Sequence, residues 1–299
     1  LASTWNNDAI EEVVRAIGNE TREYGVDIIL GPGQNIHRHP LGGRNYEYFS
    51  EDPFLSGMIS AAYVRGVQSQ GVGTSIKHFA VNNQETSRLS NDARVSQRAL
   101  REIYLRNFEY TLKNSEPWTI MTSYNFINNV HASENYDLLT TIVRKEWGYK
   151  GLLVTDWGAG YDSAKQIEAG QNLIQRGKPW RYEQVVKALE EGTLTEKQID
   201  NSVRYVLELV DKSYRMKVQK GEAPKHSGTP DLATHNYIAR KISAEGMVLL
   251  KNSDCLPLNG GQKVALYGST SYSLIAGGLG AGDVNSTYVK TLHQAFESI

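Results

Sequence analysis

Short β-prone runs alternate with longer segments of helical period along this chain, and that alternation predicts an α/β fold with parallel strands covered by helices. Two further observations support it. The 299 residues, 40% of them hydrophobic, are enough to bury a large core. Gly31-Pro32-Gly33 stops the first apolar run, and Gly71 closes the helical segment that ends at Gln70. The number of units suits a (β/α)8-type barrel lacking its first unit or units, with a doubly wound sheet as the alternative. No Gly-x-Gly-x-x-Gly follows an early strand to favour the latter.

The elements follow in order. Asp8 to Tyr24 places Ile10, Val13, Val14 and Ile17 on one helical face, and Val26 to Leu30 reads as a strand stopped by Gly31-Pro32-Gly33. Pro53 to Gln70 is helical and Gly71 closes it. Thr74 to Phe79 is the next strand, and Ser96 opens a helix that runs to Asn114. Trp118 to Tyr124 is a strand, Tyr136 to Trp147 a helix, and Gly151 to Thr155 a strand leading into Asp156. A further strand is expected at Asn172 to Gln175, with helices at Tyr182–Glu191 and Glu196–Tyr214. The Gly- and Pro-rich stretch from Lys217 to Pro230 reads as a linker, and Leu232 to Gly246 as a helix. Met247 to Leu250, a strand at Lys263 to Gly268 and the loop Gly277 to Gly282 then start a second α/β domain. That loop has the glycines of a phosphate cradle without the Lys-Ser/Thr that should follow, so a surface or active-site loop is the better reading.

Composition excludes several classes. With 32 basic and 33 acidic residues the net charge is −1, which gives no footprint for nucleic acid or an anionic membrane. No apolar run reaches the roughly 18 residues of a membrane span, so the expected setting is cytoplasmic or periplasmic. The single Cys255 leaves no disulfide framework and is expected to pack beside Leu256. Asn19-Glu20-Thr21 and Asn285-Ser286-Thr287 fit a glycosylation pattern that chance often produces. His37 and His39 have no evident third ligand, so no metal is expected. Leu1 is not an initiator Met and Phe296 to Ile299 reads as helix interior, so a longer parent chain is expected.

The chemistry gathers at predicted strand ends. A loop after the first strand carries Arg44, Glu47, Glu51 and Asp52; later strands end in Lys77-His78, in Met121 and Tyr124, and in Asp156-Trp157. In a barrel such ends meet at one mouth. One acid, one guanidinium, one ammonium, one imidazole, one phenol and one indole suit a neutral, polyhydroxylated ligand. Asp156 fits a nucleophile, flanked by Lys77 and Arg44, of the kind a retaining glycosidase uses. The plainer readings are an N-cap for Asp156, a buried ion pair and a core histidine for Lys77-His78, an ion pair of Arg44 with Glu47 or Asp52, and packing for Met121 and Tyr124. Glu85 reads as an i, i+3 partner of Arg88.

These residues resemble a known family. Gly43-Arg-Asn-Tyr-Glu-Tyr-Phe-Ser-Glu-Asp-Pro53, Ile76-Lys-His-Phe-Ala-Val-Asn-Asn-Gln-Glu85, Met121-Thr-Ser-Tyr-Asn125, Val154-Thr-Asp-Trp157 and Val248-Leu-Leu-Lys-Asn252 with Leu256-Pro-Leu258 together resemble family 3 glycoside hydrolases, above all β-glucosidases. The resemblance implies a (β/α)8-like barrel followed by the start of an α/β sandwich domain. On that division residues 1–215 are the barrel without its first unit, 216–246 a linker and connecting helix, and 247–299 the beginning of the sandwich. It implies a retaining exo-β-glycosidase without cofactor, acting on terminal β-D-glucosyl residues of an oligosaccharide or β-glucoside, with β-xylosidase, another exo-β-glycosidase or a non-catalytic sugar binder as alternatives. Asp156 takes the nucleophile's place, and Arg44, Lys77, His78, Met121, Tyr124 and Trp157 those of sugar-binding residues.

The departures from the family pattern are equally specific. An early Asp-Gly-Pro segment is absent. The acid/base Glu is expected outside this chain, on the rest of the same polypeptide or a complementary chain. The stretch Gly170-Gln-Asn-Leu-Ile-Gln-Arg-Gly177 has Asn172 and Arg176 where the family has Asp and Pro. The segment Asn82 to Arg88 lacks the His that the N-acetylhexosaminidase branch uses as acid/base.

Overall fold

The structure, a computed structural model, describes residues 1–278, 280–286 and 288–299. They form two units, Leu1–Val248 and Leu249–Ile299.

In the first unit, helix α1 (Asn7–Glu23) starts where Asn6 accepts the Ala9 N–H, and it buries Ile10 and Val14. Strand β1 (Ile28–Ile29) is shorter than the predicted Val26–Leu30. Helix α2 (Pro53–Gln68) is opened by Asp52 and by Pro53 in its first turn, and it packs Ile59, Ala62 and Val67 against α1. Strand β2 (Gly73–Phe79) is buried at every residue. A two-residue strand β3 (Asp92–Ala93) precedes α3 (Gln97–Ala99), which continues through a π-helical turn at Leu100–Tyr104 into α4 (Arg106–Asn114). Ser96 caps this helix as its sequence predicts, accepting the Ala99 N–H. After β4 (Thr119–Thr122), strands β5 (Phe126–Ile127) and β6 (Val130–His131) form a hairpin across Asn128-Asn129. Both turn residues hold positive φ, 50° and 73°, the conformation a two-residue hairpin needs and Asn tolerates.

The predicted helix at Tyr136–Trp147 is π-helical over Asp137–Glu146, and its wide turn presents Leu138, Leu139, Ile142 and Val143 to the core. Strand β7 (Leu152–Thr155) follows, then α5 (Ser163–Ala169), α6 (Pro179–Glu190), α7 (Glu196–Lys212) and α8 (Tyr214–Gln219). Because α8 reaches Gln219, it occupies the first part of the predicted linker. Helix α9 (Leu232–Glu245) returns to α1 through Lys241 to Glu12 and His235 to Glu20.

Strands β1, β2, β4 and β7 form one sheet in that order, and every pair is parallel. Sequential neighbours pair with no reversal of order among these four strands. The strand predicted at Asn172–Gln175 is reduced to a single parallel bridge from Leu173 to Val154. The cause is a side chain. Asn172 Oδ1 accepts the Leu153 N–H at 2.9 Å, where a strand would offer a backbone carbonyl, and it also accepts from Arg144 at 2.8 Å. The sheet's apolar face meets the flanking helices in a cluster that includes Ile76, Phe79, Phe108, Ile120 and Leu153.

The second unit differs more from its prediction. It contains α10 (Leu292–Glu297), opened by a Thr291/Gln294 capping box, and no strand among the described residues. Residues 263–268 therefore do not form the expected strand. A strand needs hydrogen-bonded neighbours, none is at hand, and Tyr267 is 86% exposed. Cys255 is exposed instead of packed. The glycine run 277–282 and the triplet 285–287 each include a residue outside the described ones. No described helix is long and apolar enough to cross a membrane.

One tie reaches across the first unit. Ser227 donates to Glu23 Oε2 at the end of α1 from both its N–H and its hydroxyl, at 2.6 and 2.5 Å. These bonds, helped by Arg22, outweigh burial and lower the Glu23 pKa to about 2. A depressed carboxylate stabilises the fold above its unfolded pKa and loses that contribution as pH falls through the folded value. Ser227→Ala should therefore cost about 1–2 kcal/mol at pH 7, and its deficit should shrink between about pH 4.5 and 2. Thermal melts across that range check it; a pH-independent deficit would discard the linkage.

Candidate active site

Because β2, β4 and β7 are parallel neighbours, their C-terminal ends share one edge, and the last residues of the strands and those just beyond carry the chemistry. Asp156 follows β7 directly. Its N–H donates to Thr122 O and its carbonyl accepts the Ala159 N–H, both at 3.1 Å. Oδ1 accepts the Trp157 N–H at 2.7 Å, and the residue is 8% exposed. The N-cap reading fails here: α5 is capped by Asp162, which accepts from Ala164 and Lys165.

His78 lies across from it, Nε2 being 3.7 Å from Asp156 Oδ2. Its backbone is clamped by Asn35, which accepts the His78 N–H at 2.8 Å and donates to its carbonyl at 2.9 Å. The ring's tautomer follows from its partners. Asn82 Nδ2 faces the Glu85 carboxylate, which can only accept, and also donates to Tyr48 Oη at 3.1 Å. The Tyr48 hydroxyl proton is then free for His78 Nδ1, 3.1 Å away. That leaves the imidazole proton on Nε2, directed at Asp156. Burial, reinforced by Arg44, Lys77 and Arg88, holds the His78 pKa well below its usual value, so the ring is neutral at pH 7.

Arg44 and Lys77 share one carboxylate. Arg44 Nε donates to Glu47 Oε1, and Lys77 Nζ lies 3.3 Å from Glu47 Oε2. Burial pushes the Glu47 carboxyl up, but the two cations more than offset it and hold it below its usual range. Burial lowers the Lys77 pKa, with Glu47 pulling the other way. The ion-pair readings of Arg44 and Lys77 are thus realised, and they place both cations at the same edge as His78.

Tyr124 donates to the Trp157 carbonyl at 3.1 Å, and its ring lies 4.8 Å from the Arg88 guanidinium. Burial first, then the charge of Asp156, pushes the Tyr124 pKa up to about 12. Trp157 is 43% exposed. Met121 stands apart, 2% exposed in an apolar cluster with Leu152 and Val154.

The turn after Asp156 is held from behind. Gly160 N donates to His131 Nε2 at 3.1 Å, and Arg181 donates to the carbonyls of Ala159 and Gly160, each at 3.0 Å. Gly160 has φ 76°, and a Cβ there would come within 2.6 Å of Ser133 Oγ, so only glycine fits.

Sequence reasoning offered Glu47 as a partner of Arg44 but missed its second partner, Lys77, and missed the roles of Tyr48, Asn35 and Asn82. The i, i+3 spacing of Arg44 and Glu47 was the available signal. Glu85 pairs with Arg88 at 3.1 Å as its spacing predicts, and Glu245 accepts from Asn6 at 2.7 Å. His39 Nδ1 accepts the Leu41 N–H, so it serves its own loop. Among the described residues no three His, Cys, Asp or Glu side chains gather around a metal position.

Residues 1–209 match the model of the Glycosyl hydrolase family 3 N terminal domain, well over half of the chain. The chain belongs to glycosyl hydrolase family 3. It is 44% identical over 278 residues to an exo-α-(1→6)-L-arabinopyranosidase of Bifidobacterium longum, covering 90% of this chain and 36% of that protein. It is 42% identical to β-glucosidase B of Emericella nidulans, over 96% of this chain and 34% of that one. The structure of β-glucosidase 3B from Thermotoga neapolitana in complex with glucose superimposes with a TM-score of 0.94 at 45% identity, covering 99% of this chain and 42% of that chain. The chain thus spans about a third of the curated relatives it matches.

The neutral state of His78 has a measurable consequence. A base whose folded pKa is depressed contributes stability that is present above its unfolded pKa, about 6.5, and is lost as pH falls below it. His78→Gln should therefore reduce the drop in Tm between pH 7.5 and 5.5, both values chosen to bracket about 6.5. His131, also depressed by burial, keeps part of that drop in the variant. An unchanged drop would mean that His78 titrates normally.

Proposed function

We propose that this chain supplies the nucleophile side of a retaining exo-β-glycosidase, which releases terminal non-reducing β-D-glucosyl residues through a covalent glycosyl–Asp156 intermediate. The observation that carries the reading is the setting of Asp156: Oδ1 is fixed by the Trp157 N–H while Oδ2 faces the His78 Nε2 proton. A carboxylate so held keeps one oxygen aimed at an anomeric carbon, and the fixed geometry lowers the cost of attack. Arg44, Lys77 and His78 would grip the hydroxyls of the sugar, and Trp157 would pack against its C–H face. Met121 would contribute from beneath, as packing under the ring's floor, and Tyr124 by fixing the Trp157 backbone.

In this reading the consecutive parallel strands are an arc of a (β/α)8-like barrel, residues 216–246 join it to the next domain, and 247–299 begin an α/β sandwich. The second carboxyl group, the acid/base Glu, would come from the rest of the same polypeptide or from a complementary chain. The substrate would be an oligosaccharide or β-glucoside. The arabinopyranosidase relative favours a second reading within the same chemistry, an exo-glycosidase for a sugar other than glucose, β-xylosides included.

Replacing the nucleophile separates catalysis from binding. In the whole protein, Asp156→Asn is expected to lower kcat on an aryl β-glucoside by at least about 10³-fold, since it removes covalent catalysis, with the fold and melting temperature retained. Release of the aryl group, followed by absorbance, measures it. Turnover within about tenfold of the parent would sink the assignment. A parent that binds glucose without cleaving the aryl glucoside would leave a sugar-binding relative instead.

A further inference from the structure

Behind the proposed nucleophile lies a buried histidine that the reading above leaves without a role. The aim of the Asp156 carboxylate depends on the turn that follows it. Asp156 Oδ1 accepts the Trp157 N–H at 2.7 Å, and the Asp156 carbonyl accepts the Ala159 N–H at 3.1 Å. That turn is anchored from outside. Gly158 N–H donates to Gln175 O at 2.8 Å, and Gln166 Nε2 donates to Ala159 O at 2.9 Å. Arg181 donates to the Ala159 and Gly160 carbonyls at 3.0 Å, and the Gly160 N–H donates to His131 Nε2 at 3.1 Å. Carbonyls and amides do not titrate between acid and neutral pH, and a guanidinium stays charged. Among these anchors only His131 can change its protonation there.

His131 is 3% exposed, and each of its ring nitrogens faces a backbone N–H, Gly160's at Nε2 and Ser133's at Nδ1, 3.2 Å away. Ser133 Oγ lies 2.9 Å from Nδ1 and can receive its proton. The same oxygen accepts from Gln166 Nε2 at 2.7 Å, and Arg181 orients that amide by donating to its Oε1 at 2.9 Å. With the ring proton directed at Ser133, Nε2 is left as the acceptor for Gly160. A neutral imidazole has one such lone pair and an imidazolium has none. A second proton would set an Nε2–H against the Gly160 N–H. The charged groups that face the ring are Glu134, three residues on, and Arg181 of α6. The rings of Phe126 and Tyr161, at 5.2 and 5.8 Å, lie against it. Burial first, and then Arg181, lowers the His131 pKa, while Glu134 and the Tyr124 carbonyl oppose them; the net shift is downward. The ring is therefore neutral at pH 7 and takes its second proton below about 6.5.

We infer that His131 is a positioning residue for Asp156: its neutral ring holds the Gly160 N–H, and its protonation in acid releases the turn that aims the carboxylate. The inference rests on the glycosidase reading above. It adds to that reading a group that acts through the backbone and gives turnover an acid limb of its own.

The test follows the whole protein on an aryl β-glucoside between about pH 7.5 and 5, a window that spans the usual histidine range. His131→Ala removes the acceptor, whereas His131→Gln keeps an acceptor oxygen that takes no proton in this window. His131→Ala should lower kcat at pH 7.5 by about tenfold or more while KM moves less than about twofold, because the fault lies in the aim of the nucleophile. His131→Gln should recover most of that loss, and its kcat should fall less steeply below about pH 6.5 than the parent's. His78 contributes to both profiles alike, so their difference belongs to His131. Amide hydrogen exchange over residues 157–162, corrected for the intrinsic effect of pH, reads the turn directly. Protection should drop about tenfold in the parent from pH 7.5 to 5, the worth of one hydrogen bond, and hold in His131→Gln. Parallel kcat profiles, or the same loss of protection in parent and His131→Gln, would overturn the inference even if His131→Ala does not fold. A parent that cleaves no aryl β-glucoside refutes the glycosidase reading and takes this inference with it, whereas the variant comparisons on an active parent refute the inference alone.

Discussion

Three adjacent strands must end at the same level for this site to exist. The backbone ladder secures that. Thr119 pairs with Leu152 and Thr122 with Thr155, while Ser75 and Ile76 pair with Thr119 and Ile120. Parallel strands buried on both faces have little freedom to slip, since any shift would move apolar side chains out of their packing. The irregularity between Ile76 and Phe79 is the one local exception, and it falls on Lys77 and His78. The ladder yields only where the chain turns its functional side chains toward the site.

Charge is balanced over the same few residues. Two cations, Arg44 and Lys77, meet one shared carboxylate, Glu47, and a second carboxylate, Asp156, stands 3.7 Å from His78. With His78 neutral the four charged groups sum to zero, and an isolated buried charge of either sign would be costly. The neutrality of His78 is therefore part of the balance. Protonating it would add a buried positive charge beside those of Arg44, Lys77 and Arg88, which together with burial already depress its pKa.

Much of this was legible in the sequence, and what was not has physical causes. The four strands of the sheet, most of the helices and the placement of Lys77, His78, Tyr124 and Asp156 at or just beyond strand ends all follow from hydrophobic period and from Gly and Pro positions. Glu47 was visible only as the far end of an i, i+3 pair, because Lys77, its second partner, is 30 residues away and joins it only in the folded state. Tyr48, Asn35 and Asn82 act through hydrogen bonds between loops, which leave no periodic trace. The strand predicted at 172–175 was lost to the Asn172 side chain, whose competition with the backbone no pattern of hydrophobicity records. At 263–268 a β-prone run met no neighbouring strand, and propensity alone does not make one.

The segment from Asp156 to Gly160 joins a fixed part to a free one. The peptide groups on both sides of Trp157 are tied, its N–H to Asp156 and its carbonyl to Tyr124, and the following turn is gripped by His131 and Arg181. Trp157 is 43% exposed, and its indole has no hydrogen-bond partner among the described residues. Mechanically, the acid is bolted to the scaffold while the aromatic wall beside it can swing about its own side-chain torsions. A site built this way can adapt its wall to rings with different substituents without shifting the carboxylate. On the proposed reading, a change of sugar preference would need only a change in the wall, with the carboxylate left where it is.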